Sequence, residues 1–327
     1  MWTPISRRVA LACALTTSLV LVSPFAEAAE TIRIGFASGA VGPHASGANG
    51  FKEKLEELAP GRFKVEIFPG GSLGGEREMA ESVQLGSLEM AITGTAVLGN
   101  FVPDMMIADI PFLFRDYDHA RAVMDGPVGQ ELMEKMRQVG LVGLGFGEVG
   151  FRHITNNDHA VDGPEDMHNL KIRTMENNIH IEAFRQLGAQ PTPMSWTEVL
   201  TGLEQGTIDG QENPLSIIVS AKLWETQDYL SLTKHAFTPV AFYMSPTFFD
   251  ALSAEDQEIM REAVKAGQAA NRAYVDESER TGLATIKEHG VQVDETPDMD
   301  AFRAAMAPLY EKYRGEFGSL IDEIQAQ

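Results

Sequence analysis

Cysteine is almost absent from this chain: one of its 327 residues, Cys13, is a cysteine, and it falls in the N-terminal segment. An exported form lacking that segment has no disulfide and no thiol nucleophile, so its stability must come from a buried core. Cations are scarce too, with 26 lysines and arginines against 47 aspartates and glutamates and a formal charge of −21. Such a surface argues against nucleic acid and anionic membrane as partners, and it makes an arginine in an apolar context informative. Beyond the N-terminus no apolar run is long enough to span a bilayer, so no direct membrane insertion is expected. The eight histidines are scattered, without H-E-x-x-H spacing, and there is no G-x-S-x-G elbow. The glycine-rich stretch at 70–75 lacks a P-loop lysine, and 209–212 is too short for a calcium loop. No cofactor and no metal are indicated. No motif carries enzyme chemistry, although the abundant carboxylates leave an acid/base pair open.

What is present begins with an export signal. Arg7 and Arg8 precede an apolar run from Val9 that is interrupted by Thr16, Thr17 and Ser18, and Ala26-Glu-Ala28 supplies small residues for a peptidase. This basic–apolar–small order predicts a leader over 1–28 cleaved after Ala28 and a periplasmic location. Loss of Arg7, Arg8 and Glu27 makes the mature charge −22.

The mature chain opens with alternation over 31–36, helical periodicity over 47–58, a second alternating run over 63–68, a helix over 76–85 and a strand over 88–92. This β-α-β-α-β start predicts an α/β lobe with a largely parallel sheet. Helices are expected over 117–124 and 128–139, and a strand over 141–146 running towards 150–154. A polar crossing over 155–166 then leads to a second lobe with a strand at 170–173, a helix over 179–187 and a further helix after Ser195, where Ser195 and Glu198 predict a capping box. The apolar stretch 239–244 is a candidate return to the first lobe. Ser253 with Asp256 starts a helix expected to reach about 288, well above the usual length, and 291–293 and a C-terminal helical region finish the chain.

Three features in the middle suggest a site for a small anion. Arg173 ends a short strand, and a guanidinium fork holds a carboxylate by two parallel charge-assisted hydrogen bonds. Read alone, it serves equally as one half of a salt bridge. Arg152 stands where the chain changes lobes, and crevices of α/β sheets open at strand ends. Asn213 follows the turn at Asp209-Gly210 and precedes a proline, placing its amide toward a crevice or at a helix cap.

Six segments in order, FPGGSLGGERE at 68–78, QLGSLEM at 84–90, PFLF at 111–114, LKIR at 170–173, LGAQPTPM at 187–194 and DGQENP at 209–214, make the chain resemble the solute receptors of TRAP (tripartite ATP-independent periplasmic) transporters, the DctP-type family. The resemblance covers nearly the whole mature chain. It implies a two-lobed α/β periplasmic solute-binding fold with a hinge-bent cleft and a long helix spanning both lobes. The first lobe would take 29–153, rejoined by about 243–288, and the second 154–242, with 289–327 packing across them. The resemblance further implies that Arg173 clamps a ligand carboxylate, that Arg152 assists, and that Asn213 bonds the carboxylate or a neighbouring hydroxyl. Polar contacts from His44 and Glu76, and apolar walls from Trp196, Phe242 and Phe36, complete the implied site. The implied partners are a small organic anion, such as a sugar acid or other hydroxy or dicarboxylic acid, and the subunits of a TRAP membrane permease. The continuation TMENN at 174–178 departs from the family's commoner small polar residues. The alternatives are a same-fold receptor for a sulfonate or small amine, in which Glu76 matters more, a ligand-sensing subunit, and an exported enzyme.

Overall fold

A computed structural model describes residues 1–2 and 29–327; the apolar run and cleavage site of the expected leader lie outside the described residues. The first half builds β1 (Glu30–Gly35), α1 (Pro43–Leu58), β2 (Phe63–Phe68), α2 (Glu76–Gln84), β3 (Met90–Gly94), α3 (Thr95–Leu98), α4 (Tyr117–Asp125) and α5 (Pro127–Gln138). β1 pairs in parallel with β2 and β3, as the β-α-β-α-β reading anticipates. The chain then enters β4 (Val142–Asn156), a single strand of 15 residues in place of two shorter ones. After it come β5 (Lys171–Thr174), α6 (Asn178–Gln186), β6 (Gln190–Pro193), α7 (Trp196–Glu204), β7 (Gly210–Pro214), α8 (Leu215–Ser220), β8 (Tyr229–Ser231) and β9 (Phe237–Met244). The end of the chain forms α9 (Pro246–Phe249), α10 (Ala254–Glu288), β10 (Gln292–Asp294), α11 (Met299–Phe317) and α12 (Leu320–Ala326).

The strands run in the order β2-β1-β3-β9-β4-β7-β5-β6, with β8 against β4 and β10 beyond it. β4 joins the two halves. Its first part pairs with β9, and its last five residues pair with β7. Register shifts at Gly143/Gly145 and Glu148/Gly150 bend it between those partners. Gly150 has φ 113, and a Cβ there would sit 2.5 Å from the Tyr117 hydroxyl, so this bend requires glycine. β9 is buried along its whole length and lies antiparallel between β3 and β4. Strand pairing thus brings the chain back to the first half from Phe237, ahead of the boundary placed at 243, and the boundary at 153 falls within β4. In the C-terminal part, β10 pairs with β8, Tyr313 of α11 donates to Glu182 of α6, and α12 is tied to α4 through His119 and the Ile324 carbonyl.

The 35-residue α10 is unbroken, started by the Ser253 hydroxyl, which accepts the Asp256 N–H. It lies against α1 at close range because small residues face each other there. Asn271 pins the contact, donating to the carbonyls of Pro43 and Glu148 and accepting the Glu148 N–H. At Gly267 a Cβ would stand 2.7 Å from the Gly47 carbonyl oxygen, a backbone atom that yields only if the helices part. The helix-propensity gain of Gly267→Ala, about 1 kcal/mol, is therefore outweighed by an overpacking penalty of about 1–3 kcal/mol. We expect net destabilisation by urea unfolding, whereas Gly315→Ala in α11, where a Cβ meets nothing within 4 Å, should stabilise. A gain for both variants would refute the tight α1–α10 contact.

The capping box expected at Ser195 is not formed: its hydroxyl bonds the Thr197 hydroxyl at 3.1 Å, and the Glu198 N–H goes to the Ser195 carbonyl. The reason is tertiary. The Ser195 side chain abuts Gly75, where a Cβ would lie 2.6 Å from its oxygen. β6 and β7, for which the sequence pattern predicts no strand, form because Lys171–Thr174 supplies a pairing edge for β6 and β4 supplies one for β7.

Candidate functional site

The fold leaves a cleft of about 440 Å³, counting the space open to solvent, where β4, β5, β7 and β9 meet the starts of α1, α2 and α7. It lies between the two sheet halves, and the loop of Gly71 and Gly75 closes on Thr197 and Ser195 across its mouth. Arg173, Arg152, Asn213, Glu76, His44 and Trp196 all reach its wall.

Arg173 comes from β5 and is 2% exposed. Its Nε and Nη2 donate to the Met194 carbonyl at 3.0 and 2.8 Å, and its guanidinium lies 5.9 Å from the Trp196 ring. Among the described residues it has no carboxylate partner within salt-bridge distance, and Nη1 carries no hydrogen bond within the protein. Burial lowers its pKa to about 10, with Glu212 and Glu76 pulling upward and Arg152 adding to the depression. It remains a cation at neutral pH, with Nη1 left open at the cavity wall.

Arg152 is also buried, but its charge is met. Its Nε and Nη2 grip both oxygens of Glu212 in a forked pair, Nη2 reaches Asn213 Oδ1 at 3.2 Å, and Nη1 reaches the Thr238 hydroxyl at 3.1 Å. The Asn213 amide is fixed on its other side by Gln211, which in turn donates to Thr155. The polar residues of β7 thus orient one another and the second arginine.

Opposite the arginines, the Glu76 carboxylate accepts the Gly94 N–H at 2.8 Å through one oxygen, while the other carries no hydrogen bond among the described residues. Burial raises its pKa, and the Gly94 N–H, Arg173 and Arg152 oppose that rise. His44 stacks on Phe36 with ring centres 6.0 Å apart, and its Nδ1 shares a hydrogen bond with the Ser38 hydroxyl at 3.0 Å. Burial lowers its pKa to about 4, so it is neutral and presents Nε2 as a polar contact.

Phe242 and Phe36 do not line the cavity. Phe242 shares the face of β9 with Val240, which does line it, but lies one pleat further along, wedged against Gly47 and Gly267. Phe36 lies beneath the His44 ring and is fully buried. Sequence reasoning missed Ser38, Met175 and Thr238 in the wall. Ser38 follows a strand end, a signal that was there to use; Thr238 precedes the apolar stretch 239–244 and joins β9 through its pairing with β4.

A buried polar network behind Arg152 was also missed. Glu212 lies 3.1 Å from His235 Nε2 and 3.7 Å from His180 Nδ1, and His180 Nε2 lies 3.1 Å from Asp109, which Asn177 also contacts. Burial pushes Glu212 upward, but Arg152, His180 and His235 together hold it well below the usual carboxylate range. Burial depresses His180, yet Asp109 and Glu212 outweigh it and raise its pKa. Among the described residues no His, Cys, Asp or Glu group is arranged to hold a metal ion, and no helix is long and apolar enough to cross a membrane.

An α/β protein whose sheet halves enclose a cavity with one uncompensated arginine has the build of a solute receptor, and known proteins are similar throughout. Residues 37–316 match the bacterial extracellular solute-binding proteins, family 7, DctP. A solute-binding protein of Verminephrobacter eiseniae is 43% identical over 293 residues, 90% of this chain and 88% of that one. A TRAP periplasmic solute-binding protein from Polaromonas sp. JS666, solved bound to D-erythronate, is 44% identical with a TM-score of 0.89, covering 91% of this chain and 98% of that one. Another from Bordetella bronchispeptica, with density assigned as pantoate, is 46% identical with a TM-score of 0.88, covering 90% and 98%. The chain belongs to the DctP family of TRAP solute-binding proteins.

Proposed function

We propose that this protein is a periplasmic receptor, exported by a leader cleaved after Ala28, that binds a short hydroxylated monocarboxylic acid and hands it to a TRAP-type permease. The observation that carries this reading is the charge pattern of the cavity. Arg152 is neutralised by Glu212, so Arg173 is the cation left for one ligand carboxylate. The opposite end offers Glu76, Ser38 and neutral His44, groups suited to hydroxyls and unsuited to a second carboxylate. Erythronate and pantoate, named with the two similar structures, are both hydroxylated butanoates. Binding itself breaks no covalent bond. A ligand touching Arg173 on one sheet half and Glu76 on the other favours the closed arrangement by its differential contacts.

The test is a thermal-shift screen of the protein against erythronate, pantoate, galactonate, succinate, sulfonates and small amines. A ligand at a hundred times its dissociation constant adds about 2.7 kcal/mol of apparent stability. Shifts with the hydroxy monoacids support the reading, and shifts confined to succinate, sulfonates or amines overturn it. Glu76→Gln should sharpen the same distinction. It exchanges a charged acceptor for a neutral one, weakening hydroxy acids by about 1.5 kcal/mol, roughly tenfold, while succinate, relieved of a facing carboxylate, holds or gains affinity. Calorimetric titration reads both; equal losses for all acids would reject the role given to Glu76.

A further inference from the structure

A second cavity, of about 610 Å³, lies on the other side of β4. Arg152 and Phe151 are consecutive on that strand and project to opposite faces, Arg152 into the ligand cavity and Phe151 into this one. Its floor is aromatic, including Phe112, Tyr117 and Phe151, and its rim carries Arg115, Lys234 and Arg303.

The charges at that rim stand out against the rest of the chain. From residue 29 onward the sequence holds 24 lysines and arginines against 46 acidic residues. Three quarters of those cations pair with a carboxylate; among the described residues Arg115, Arg173, Arg185, Lys222, Lys234 and Arg303 do not. Arg173 lines the first cavity, and three of the remaining five converge on this one. Their neighbours meet the charge only in part, Glu279 acting on Lys234 from beyond salt-bridge distance. Arg303 stacks 5.0 Å over the Phe112 ring, and Arg115 donates to the neutral Gln325 carbonyl at 2.9 Å. The one lining carboxylate, Asp116, caps α4 by accepting the His119 N–H, and Glu279 stands nearby beside Tyr117. Phe112 and Lys234 are also two of the four non-glycine residues with positive φ among the described residues, at 59° and 43°. Side chains of that size rarely adopt such a backbone unless the surrounding structure imposes it, and such residues cluster at ligand sites.

We propose that this cavity is a second binding site, for a small amphiphilic anion whose apolar body packs on the aromatic floor and whose carboxylate, sulfonate or phosphate group meets the Arg115–Lys234–Arg303 rim. The site is independent of the acid bound at Arg173. Its wall combines β4, the β8–β9 connection, the start of α4 and α11, elements drawn from both sheet halves.

The probe is 8-anilinonaphthalene-1-sulfonate, titrated by fluorescence against the natively folded protein. One saturable site is expected, displaced by 2-naphthoate but not by neutral 2-naphthalenemethanol. The paired substitution Lys234→Glu with Arg303→Glu should weaken it at least tenfold, and Arg173→Met should leave it within threefold. Both rim positions are exposed, so the fold should survive; if the reversal lowers the melting temperature, Lys234→Gln with Arg303→Gln makes the same measurement and should weaken binding at least threefold. An absence of saturable binding, equal displacement by the neutral alcohol, or loss on Arg173→Met with retention in the rim variants overturns the proposal.

Discussion

Arg173→Met is expected to abolish useful ligand affinity while leaving the empty protein at least as stable as its parent. Methionine keeps most of the side-chain volume against Trp196 and removes the charge. In the empty protein that charge is buried, bonded only to the Met194 carbonyl, and lies beyond salt-bridge distance of any carboxylate among the described residues. Its removal relieves a desolvation penalty, so the melting temperature should hold or rise. On the proposed reading, the same charge meets the ligand carboxylate in the complex. Truncating one partner of such a buried pair costs about 2–5 kcal/mol, or about 30- to 4,000-fold in dissociation constant. Arg173→Lys separates charge from geometry: it keeps the cation but loses the planar fork, so its affinity should fall between the two. Calorimetric titration with the acid found by the thermal screen reads all three proteins. A methionine variant that binds within threefold of the parent would remove Arg173 from the site.

The contrast between the two arginines marks where sequence reasoning stops. The position of Arg173 was legible, because K-I-R ends a short strand and local alternation fixes which residues leave the sheet together. The 35-residue helix was legible for the same reason, its periodicity and its Ser253 cap being local. The state of Arg152 was not. Its partner Glu212 is 60 residues away, and they meet because β4 pairs with β7 in a register that sets Arg152 opposite Pro214 and Ile154 opposite Glu212. Register between distant strands is a tertiary property that neither segment encodes alone. Phe242 shows a related limit. The resemblance implied it as an apolar wall, but its place along β9, wedged against Gly47 of α1 and Gly267 of α10, keeps it out of the cavity that Val240 lines. At Ser195 the local cap signal was overridden by contact with Gly75 across the cavity mouth.

Glu212→Gln should produce the largest loss of stability of any single substitution at the site, and the loss should depend on pH in both directions. The carboxylate is shared by Arg152, His235 and His180, all buried. Removing its charge strands the Arg152 guanidinium in the interior and withdraws the field that helps to raise His180, while burial keeps His235 low, with an expected cost of about 3–5 kcal/mol. Because the folded pKa of Glu212 is depressed, its contribution is complete above the unfolded carboxylate value, about 4.3, and is lost as pH falls through the lower folded value. His180 acts with the opposite sign. Its folded pKa is raised, partly by Glu212, so its contribution is complete below the unfolded value, about 6.5, and fades as pH rises through the folded one. The stability gap between parent and variant should therefore be widest between about pH 4.5 and 6.5 and narrow on either side. Urea unfolding at pH 3.5, 5.5 and 8 gives the three points needed. A gap that stays constant across them, or one below about 1 kcal/mol at pH 5.5, the size of an ordinary neutral hydrogen bond, would mean that Glu212 does not hold the cluster together. The same variant should bind the acid more weakly than its residual stability explains. Arg152 would lose the fork that holds it and Asn213 at the cavity wall, where the proposed reading places the ligand, and binding at pH 5.5, where the folded fraction is controlled by added osmolyte, measures that part alone.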